Sequence, residues 1–212
     1  MAIPEPPACV FPPCDRFGME QGATVGPWCS RCGRPLRGRA VGPAPGFRIE
    51  SFLDSGYFAE VFATDDAATG VRVAAKLYGA DPAKRDAAGR EAAALRALAH
   101  PRVPALRATF EEGAWAFVVM ELVAGPSLRD EVETGGPLPA MLAVWLGIEA
   151  CEVLAAVADR GCTYRDLHPR NLHRATPKGT MLLDFDNARP AGWPAQVAGR
   201  VGYRAPELEQ AG

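Results

Sequence analysis

Charge of one sign is the first thing this sequence lacks. With 23 Lys and Arg against 25 Asp and Glu, its formal net charge is -2 at pH 7. That field is too weak to make nucleic acid or an anionic membrane the main partner. Long uncharged apolar runs are missing too. The stretch nearest to the roughly 18–20 residues of a membrane span is 141–158, and Glu149 and Glu152 interrupt it. No basic segment followed by an apolar stretch stands at the front, so a signal peptide is not expected. The expectation is a soluble, cytoplasmic protein, a setting in which stable disulfides are rare. No internal repeat is visible. Residues 1–45 are rich in Pro, Gly and Cys and show neither helical nor strand periodicity. A segment of that kind buries too little apolar surface to hold itself together.

What the chain does have is 212 residues with an apolar share of 48%, enough for a core and for one small and one medium domain. The run Val41-Gly42-Pro43-Ala44-Pro45-Gly46 disfavours helix and strand and reads as a linker after a module at 1–40. Beyond it, 47–63 and 71–78 are rich in β-branched and aromatic residues, with turn chemistry at Asp65-Asp66 and Thr69-Gly70, and predict antiparallel strands. Residues 81–99 predict a helix with Ala88, Ala92, Leu95 and Leu98 on one face, stopped by Pro101. Two more strands, 106–110 and 116–122, flank the Glu112-Gly113 turn, and Gly125-Pro126 breaks the pattern. Residues 139–160 predict a long helix, apolar on most sides and expected to be buried, ended by Gly161. A short buried strand is expected at 181–185, and an extended loop after Asp186.

Cys9-x4-Cys14 and Cys29-x2-Cys32 lie fourteen residues apart, close to the spacing of tetrahedral zinc sites built from two thiolate pairs. Gly33 suits the turn after the second pair. Structural zinc supplies on the order of 10 kcal/mol of folding free energy to segments without a core, which answers the difficulty at the front of the chain. The reading is therefore a zinc-ribbon-like module in which Cys9, Cys14, Cys29 and Cys32 bind Zn²⁺. The bland alternative is a reduced, disordered tail. Cys151 and Cys162 flank the long helix and read as core residues.

Five segments occur in a telling order. They are Leu53-Asp54-Ser55-Gly56-Tyr57-Phe58-Ala59-Glu60-Val61, Val73-Ala74-Ala75-Lys76, Glu91 with Leu95, Leu98 and His100-Pro101, Val118-Val119-Met120-Glu121-Leu122-Val123, and Tyr164-Arg165-Asp166-Leu167-His168-Pro169-Arg170-Asn171. Asp184-Phe185-Asp186 and Gly202-Tyr203-Arg204-Ala205-Pro206-Glu207 follow. Together they resemble the motifs of the protein kinase superfamily, in its bacterial Ser/Thr type. The resemblance implies an α+β two-lobed fold: an N-lobe at 47–123 with an antiparallel sheet and a C helix, and a partial helical C-lobe at 124–212. It also implies ATP and Mg²⁺. Gly56 would cover phosphates, Val61 and Ala74 would line the nucleotide, and Lys76 with Glu91 would align ATP. The backbones of Glu121 and Val123 would hold adenine, and Asn171 and Asp184 would bind magnesium. Asp166 would take or orient the proton of the attacking hydroxyl, with His168 beside it.

The sequence departs from that pattern in several places. Asp54 and Ala59 replace two glycines of the phosphate loop, and Tyr164 replaces a histidine. His168 stands where a Lys is usual, and His173 where an aliphatic residue lies under adenine. His168 and Asp186 resemble small-molecule phosphotransferases of the aminoglycoside and choline kinase type, whereas Arg165 and Ala205-Pro206-Glu207 point back to protein kinases. No Ser or Thr lies between Asp186 and Pro206, so phosphorylation of those residue types there is excluded. The family continues past this last motif, so a fragment, or a chain completed by a partner, is expected. Three readings stand: a Ser/Thr protein kinase acting on protein substrates, a pseudokinase that binds nucleotide or partners, and a small-molecule phosphotransferase.

Overall fold

The structure is a computed structural model, and it describes residues 9–11, 14, 28–30, 32–193 and 199–204. The chain divides into two compact units, Met1–Arg85 with Arg107–Leu122, and Asp86–Leu106 with Val123–Gly212. The second stretch of sequence, 86–106, therefore belongs with the later unit rather than with the strands around it.

The first unit is one six-stranded sheet in the order β1-β2-β3-β4-β6-β5. Its strands are β1 (Ala40–Val41), β2 (Phe47–Ser55), β3 (Ala59–Asp66), β4 (Arg72–Tyr78), β5 (Leu106–Glu112) and β6 (Trp115–Glu121). The stretch read as a linker is part of this sheet. Val41 pairs with Phe47 and is buried, and the Gly42 amide donates to Glu112 Oε2 at 2.5 Å. A Cβ on Gly42, at φ 83°, would lie 2.6 Å from Phe110 Cζ. The composition that argued against regular structure is thus what lets a tight turn pass over an aromatic ring.

Pairing along β3, β4 and β6 sorts the side chains by pleat. Phe62 pairs with Ala75, and Ala75 with Val119. With Val41, Ile49, Val73, Leu77 and Phe117 they form the buried core cluster of this unit. The alternate residues, Val61, Ala63, Ala74, Lys76, Val118 and Met120, pair with one another on the opposite face.

In the second unit, helix α1 (Pro82–Ala97) contributes all but its first turn. Asp81 caps its start, Oδ1 accepting from the Ala83 amide at 2.8 Å. Helix α2 (Leu128–Gly135) begins at a capping box. The Asp130 amide donates to Ser127 Oγ at 3.1 Å, and the Ser127 amide to Asp130 Oδ2 at 3.2 Å. The Ser127 hydroxyl also holds the Asp130 carboxyl below its usual range. Helix α3 (Ala140–Asp159) packs against β7 (Cys162–Thr163) and β9 (Gly179–Leu182), which pair with β10 (Arg189–Pro190) and β8 (Leu172–Ala175) respectively.

Helix α3 differs from expectation. Leu146, Glu149, Ala150, Val153 and Val157 are buried, while Met141, Val144, Trp145 and Ile148 are exposed. A helix apolar all round presents only one stripe to two short strands, so the rest of its surface stays open. Cys151 lies on that open side and is exposed rather than part of a core. By length and composition α3 is apolar enough to cross a membrane, yet its acidic residues tie it into this unit. Glu149 Oε2 accepts from the Thr180 amide at 2.8 Å and from Thr180 Oγ1 at 2.7 Å. Arg102 reaches Glu149 at 3.2 Å and also pairs with Glu152.

Candidate active site

The hairpin β8–β9 explains how residues thirteen positions apart meet. Leu172 pairs with Leu182, and one step further along the Leu183 amide donates to the Asn171 carbonyl at 2.9 Å. Asn171 and Asp184 thereby sit at one end of the same ribbon. The Asn171 side-chain nitrogen donates to the Asp166 carbonyl at 3.1 Å, leaving its Oδ1 as the hard donor atom.

Asp166 is held from three directions. Asn187 Nδ2 donates to its Oδ2 at 3.2 Å, and the Arg200 amide to its Oδ1 at 3.1 Å. His168 Nε2 stands 3.7 Å from Oδ1. The Arg170 amide donates to His168 Nδ1 at 3.2 Å, which makes Nδ1 the acceptor and puts the imidazole hydrogen on Nε2, toward Asp166. Burial lowers the His168 pKa, opposed by the Asp166 carboxylate and helped by Arg200.

Arg165 (φ 73°) and Asp184 (φ 66°) are the non-glycine residues with left-handed backbone among the described residues. They lie next to Asp166 and at the head of Asp184-Phe185-Asp186, and strain of this kind concentrates in functional sites. Tyr164 braces both. It is fully buried, its hydroxyl donates to the Leu183 carbonyl, and its ring meets Phe185 edge-on at 5.1 Å. Burial and the nearby Asp184 and Asp166 carboxylates push its phenol pKa up, so it remains a donor.

Glu91 lies in the same unit, fully buried, its Oε2 accepting from the Phe185 amide at 2.8 Å. Carboxylate oxygens of Glu91, Asp184 and Asp186 all lie within 4.8 Å of one another. Arg90 Nε and Arg189 donate to the Asp186 carbonyl, at 2.8 and 3.3 Å. Oxygen donors without sulfur or imidazole suit Mg²⁺, and Asn171 Oδ1 with the Asp184 carboxylate fits the ion that the resemblance implies. His173 Nδ1 lies 3.2 Å from the Gly125 carbonyl. Val123 also falls in this unit.

The remaining expected residues lie in the first unit. Gly56 donates to the Ala59 carbonyl at 2.8 Å, closing the turn between β2 and β3. Val61 pairs with Lys76, and Ala74 lies two residues before Lys76 on the same face. The Lys76 side chain is buried, its Nζ 5.6 Å from the Tyr78 ring centroid. Glu121 pairs with Val73 at the end of β6.

The four front cysteines also belong to this unit, and their sulfurs lie within 4.8 Å of one another. Cys9 and Cys32 are 3.6 Å apart, Cys14 and Cys29 3.9 Å. A disulfide would need about 2.05 Å, whereas sulfurs about 2.3 Å from a tetrahedral zinc stand about 3.8 Å apart. The Gly33 amide donates to the Cys29 carbonyl at 2.8 Å, with Gly33 at φ 68°, a tight turn that aims the second pair inward. Burial pushes up the Cys9 and Cys14 thiols.

Sequence reasoning did not find Asn187, Arg90 or Arg34. Asn187 directly follows Asp184-Phe185-Asp186, a positional signal; the other two act through contacts no linear pattern records. Ala205-Pro206-Glu207 lies outside the described residues.

In the comparison with known sequences, the family described as the protein kinase domain matches residues 47–211. The chain belongs to the protein kinase family and has its α+β fold. It is similar to the serine/threonine-protein kinase pkn2 of Myxococcus xanthus, 37% identical over 150 residues, covering 68% of this chain and 18% of that protein. It is also similar to the serine/threonine-protein kinase PknB of Mycobacterium leprae, 31% identical over 175 residues, covering 76% of this chain and 28% of that one. A probable serine/threonine-protein kinase of Corynebacterium efficiens is 32% identical over 176 residues, covering 76% and 27%. The chain thus spans between just under a fifth and just over a quarter of these relatives' length.

Proposed function

We propose that this chain transfers the terminal phosphoryl group of ATP to a Ser or Thr hydroxyl of a protein substrate. The observation that carries the reading is the arrangement around Asp166. Its carboxylate is oriented by Asn187 and the Arg200 amide, and its carbonyl is tied to Asn171. In this reading Asp166 orients the acceptor hydroxyl and receives its proton, and neutral His168 presents Nε2–H beside it. Lys76 and Glu91 align the nucleotide, Gly56 covers its phosphates, and Val61, Ala74 and the Glu121 and Val123 backbones bind its base. Asn171 and Asp184 would hold Mg²⁺, which when bound offsets charge on the phosphates.

The relatives' names favour a protein acceptor over a small molecule. Turnover with radiolabelled ATP and a generic protein acceptor tests the reading. Asp166→Ala should lower transfer by at least about a hundredfold with ATP binding intact. Transfer that persists in that variant, or label found only on small hydroxyl compounds, would refute it.

The four-thiolate cluster is proposed to hold one structural Zn²⁺. It would be closed by protein ligands and without a catalytic role, supplying the stability that residues 1–40 lack.

A further inference from the structure

The cysteine module and the turn that carries Gly56 belong to the same unit, and one side chain joins them. Arg34 follows Cys32 by two residues and makes a two-pronged ion pair with Glu60. Nε donates to Oε2 at 2.6 Å, and the second nitrogen, NH2, to Oε1. Both side chains are largely buried, at 21% and 15% exposure, so solvent screens this pair less than a surface one. The geometry matches the planar fork of Arg to a carboxylate, the strongest and most directional form of the interaction.

The guanidinium is clamped as well as paired. Its carbon lies 3.7 Å from the centroid of Phe11 and 5.9 Å from that of Trp115. Phe11 sits between Cys9 and Cys14, and its carbonyl accepts from the Cys14 amide at 2.9 Å. Trp115 Nε1 donates to the Gly33 carbonyl at 2.8 Å. The floor under Arg34 therefore comes from the first cysteine pair and Arg34 itself from the second. A metal that holds the two pairs together would add to the ring and backbone contacts that keep the fork aimed. Phe11 in turn meets Phe52 edge-on at 5.6 Å, and Phe52 meets Phe62 at the same distance, so the clamp is anchored in the core of the sheet.

Glu60 occupies a telling position. It pairs with Ser55 in the last rung before the Gly56 turn. Two of the glycines expected around that turn are Asp54 and Ala59, at the ends of the strands it joins, so the loop depends more than usual on what braces its base.

We propose that Arg34 is a positioning residue for the nucleotide loop: through Glu60, the metal-loaded cysteine module fixes the β2–β3 turn and thereby sets the affinity for ATP. The proposal rests on the zinc and nucleotide readings given above. Occupancy of the thiolate site then regulates nucleotide binding without any group of the module touching ATP. Metal loss or thiol oxidation would weaken binding through the slackened loop.

The test uses the full 212-residue chain and the variants Arg34→Ala, Glu60→Gln and the exchanged pair Arg34→Glu with Glu60→Arg. Each single change should raise KM for ATP·Mg²⁺ about fivefold to tenfold, with kcat within about twofold. Zinc should stay near one equivalent, and the exchanged pair should recover most of the loss, a rescue that general destabilisation would not give. Hydrogen exchange should quicken at 55–60 in the single variants. Chelating zinc from the unmodified chain should reproduce the KM rise, and in Arg34→Ala it should add little, because both act on one element. Unchanged KM and unchanged exchange in Arg34→Ala would overturn the proposal. Less than about half an equivalent of zinc in the unmodified chain would overturn its metal half. Should the unmodified chain show no turnover, the kinase reading fails separately, and the exchange at 55–60 decides the role of Arg34.

Discussion

His168 stands beside the Asp166 carboxylate, and yet burial holds its imidazole neutral. Because its pKa in the folded chain lies below the ordinary value near 6.5, protonation favours the unfolded state. The stability that neutral His168 contributes is therefore complete above about pH 6.5 and is lost as the pH falls. Thermal unfolding followed from about pH 7.5 to 5.5 should show a falling Tm, and His168→Gln should flatten part of that fall. An equal slope in the two proteins would mean that another group titrates. Much of the candidate site is legible at this scale. Asp166, Asn171 and Asp184 fall in short linear patterns, since each must emerge from one loop or one strand end. Tyr164 was readable only as a departure. That its hydroxyl spans to Leu183 and its ring to Phe185 follows from packing between segments twenty residues apart, which spacing does not encode.

At the level of elements, the two acidic interruptions of helix α3 do different work from what their position in an apolar run implies. Glu149 closes a buried network with Thr180 and Arg102. Its carboxyl is held below the usual range, against the opposing effect of burial, by the Thr180 and Arg102 contacts. Glu149→Ala leaves the Thr180 amide and the Arg102 guanidinium without that partner and should cost about 2–4 kcal/mol in urea unfolding. A loss under about 0.5 kcal/mol would show that water replaces the carboxylate fully.

Strands β2 to β6 and helix α1 can be read from periodicity and turn chemistry, and α3 from its long apolar run. Helix α2 cannot, because its eight residues are mostly polar and its start is set by the Ser127–Asp130 box rather than by an apolar stripe. The turn at 41–46 was misjudged for a related reason. Glycine and proline in sequence suggest absence of structure, whereas Gly42 makes room for Phe110.

For the molecule as a whole, the family and its fold were legible because the motifs recur in order along three quarters of the chain. The assignment of 86–106 to the second unit was not, since it depends on where a helix packs. The same is true of the open face of α3. Met141, Val144, Trp145 and Ile148 form an exposed apolar strip, the kind of surface that drives association. Sedimentation of this chain should show a mass that rises with concentration, and Trp145→Lys with Ile148→Lys should abolish the rise. A constant mass in the unmodified chain would contradict this.

The pleat of β4 also constrains how the gene can drift. Ala74 and Lys76 belong to one side of the strand, and Val73, Ala75 and Leu77 to the other. Single replacements leave that alternation intact. Gain or loss of one codon inside β4 would move every later residue of the strand across the sheet, driving an ammonium into the core beside Phe62 or Phe117 and turning aliphatic chains outward in its place. Length variation among descendants of this sequence should therefore collect at 67–70, where the chain is exposed and the bend is held mainly by Asp66.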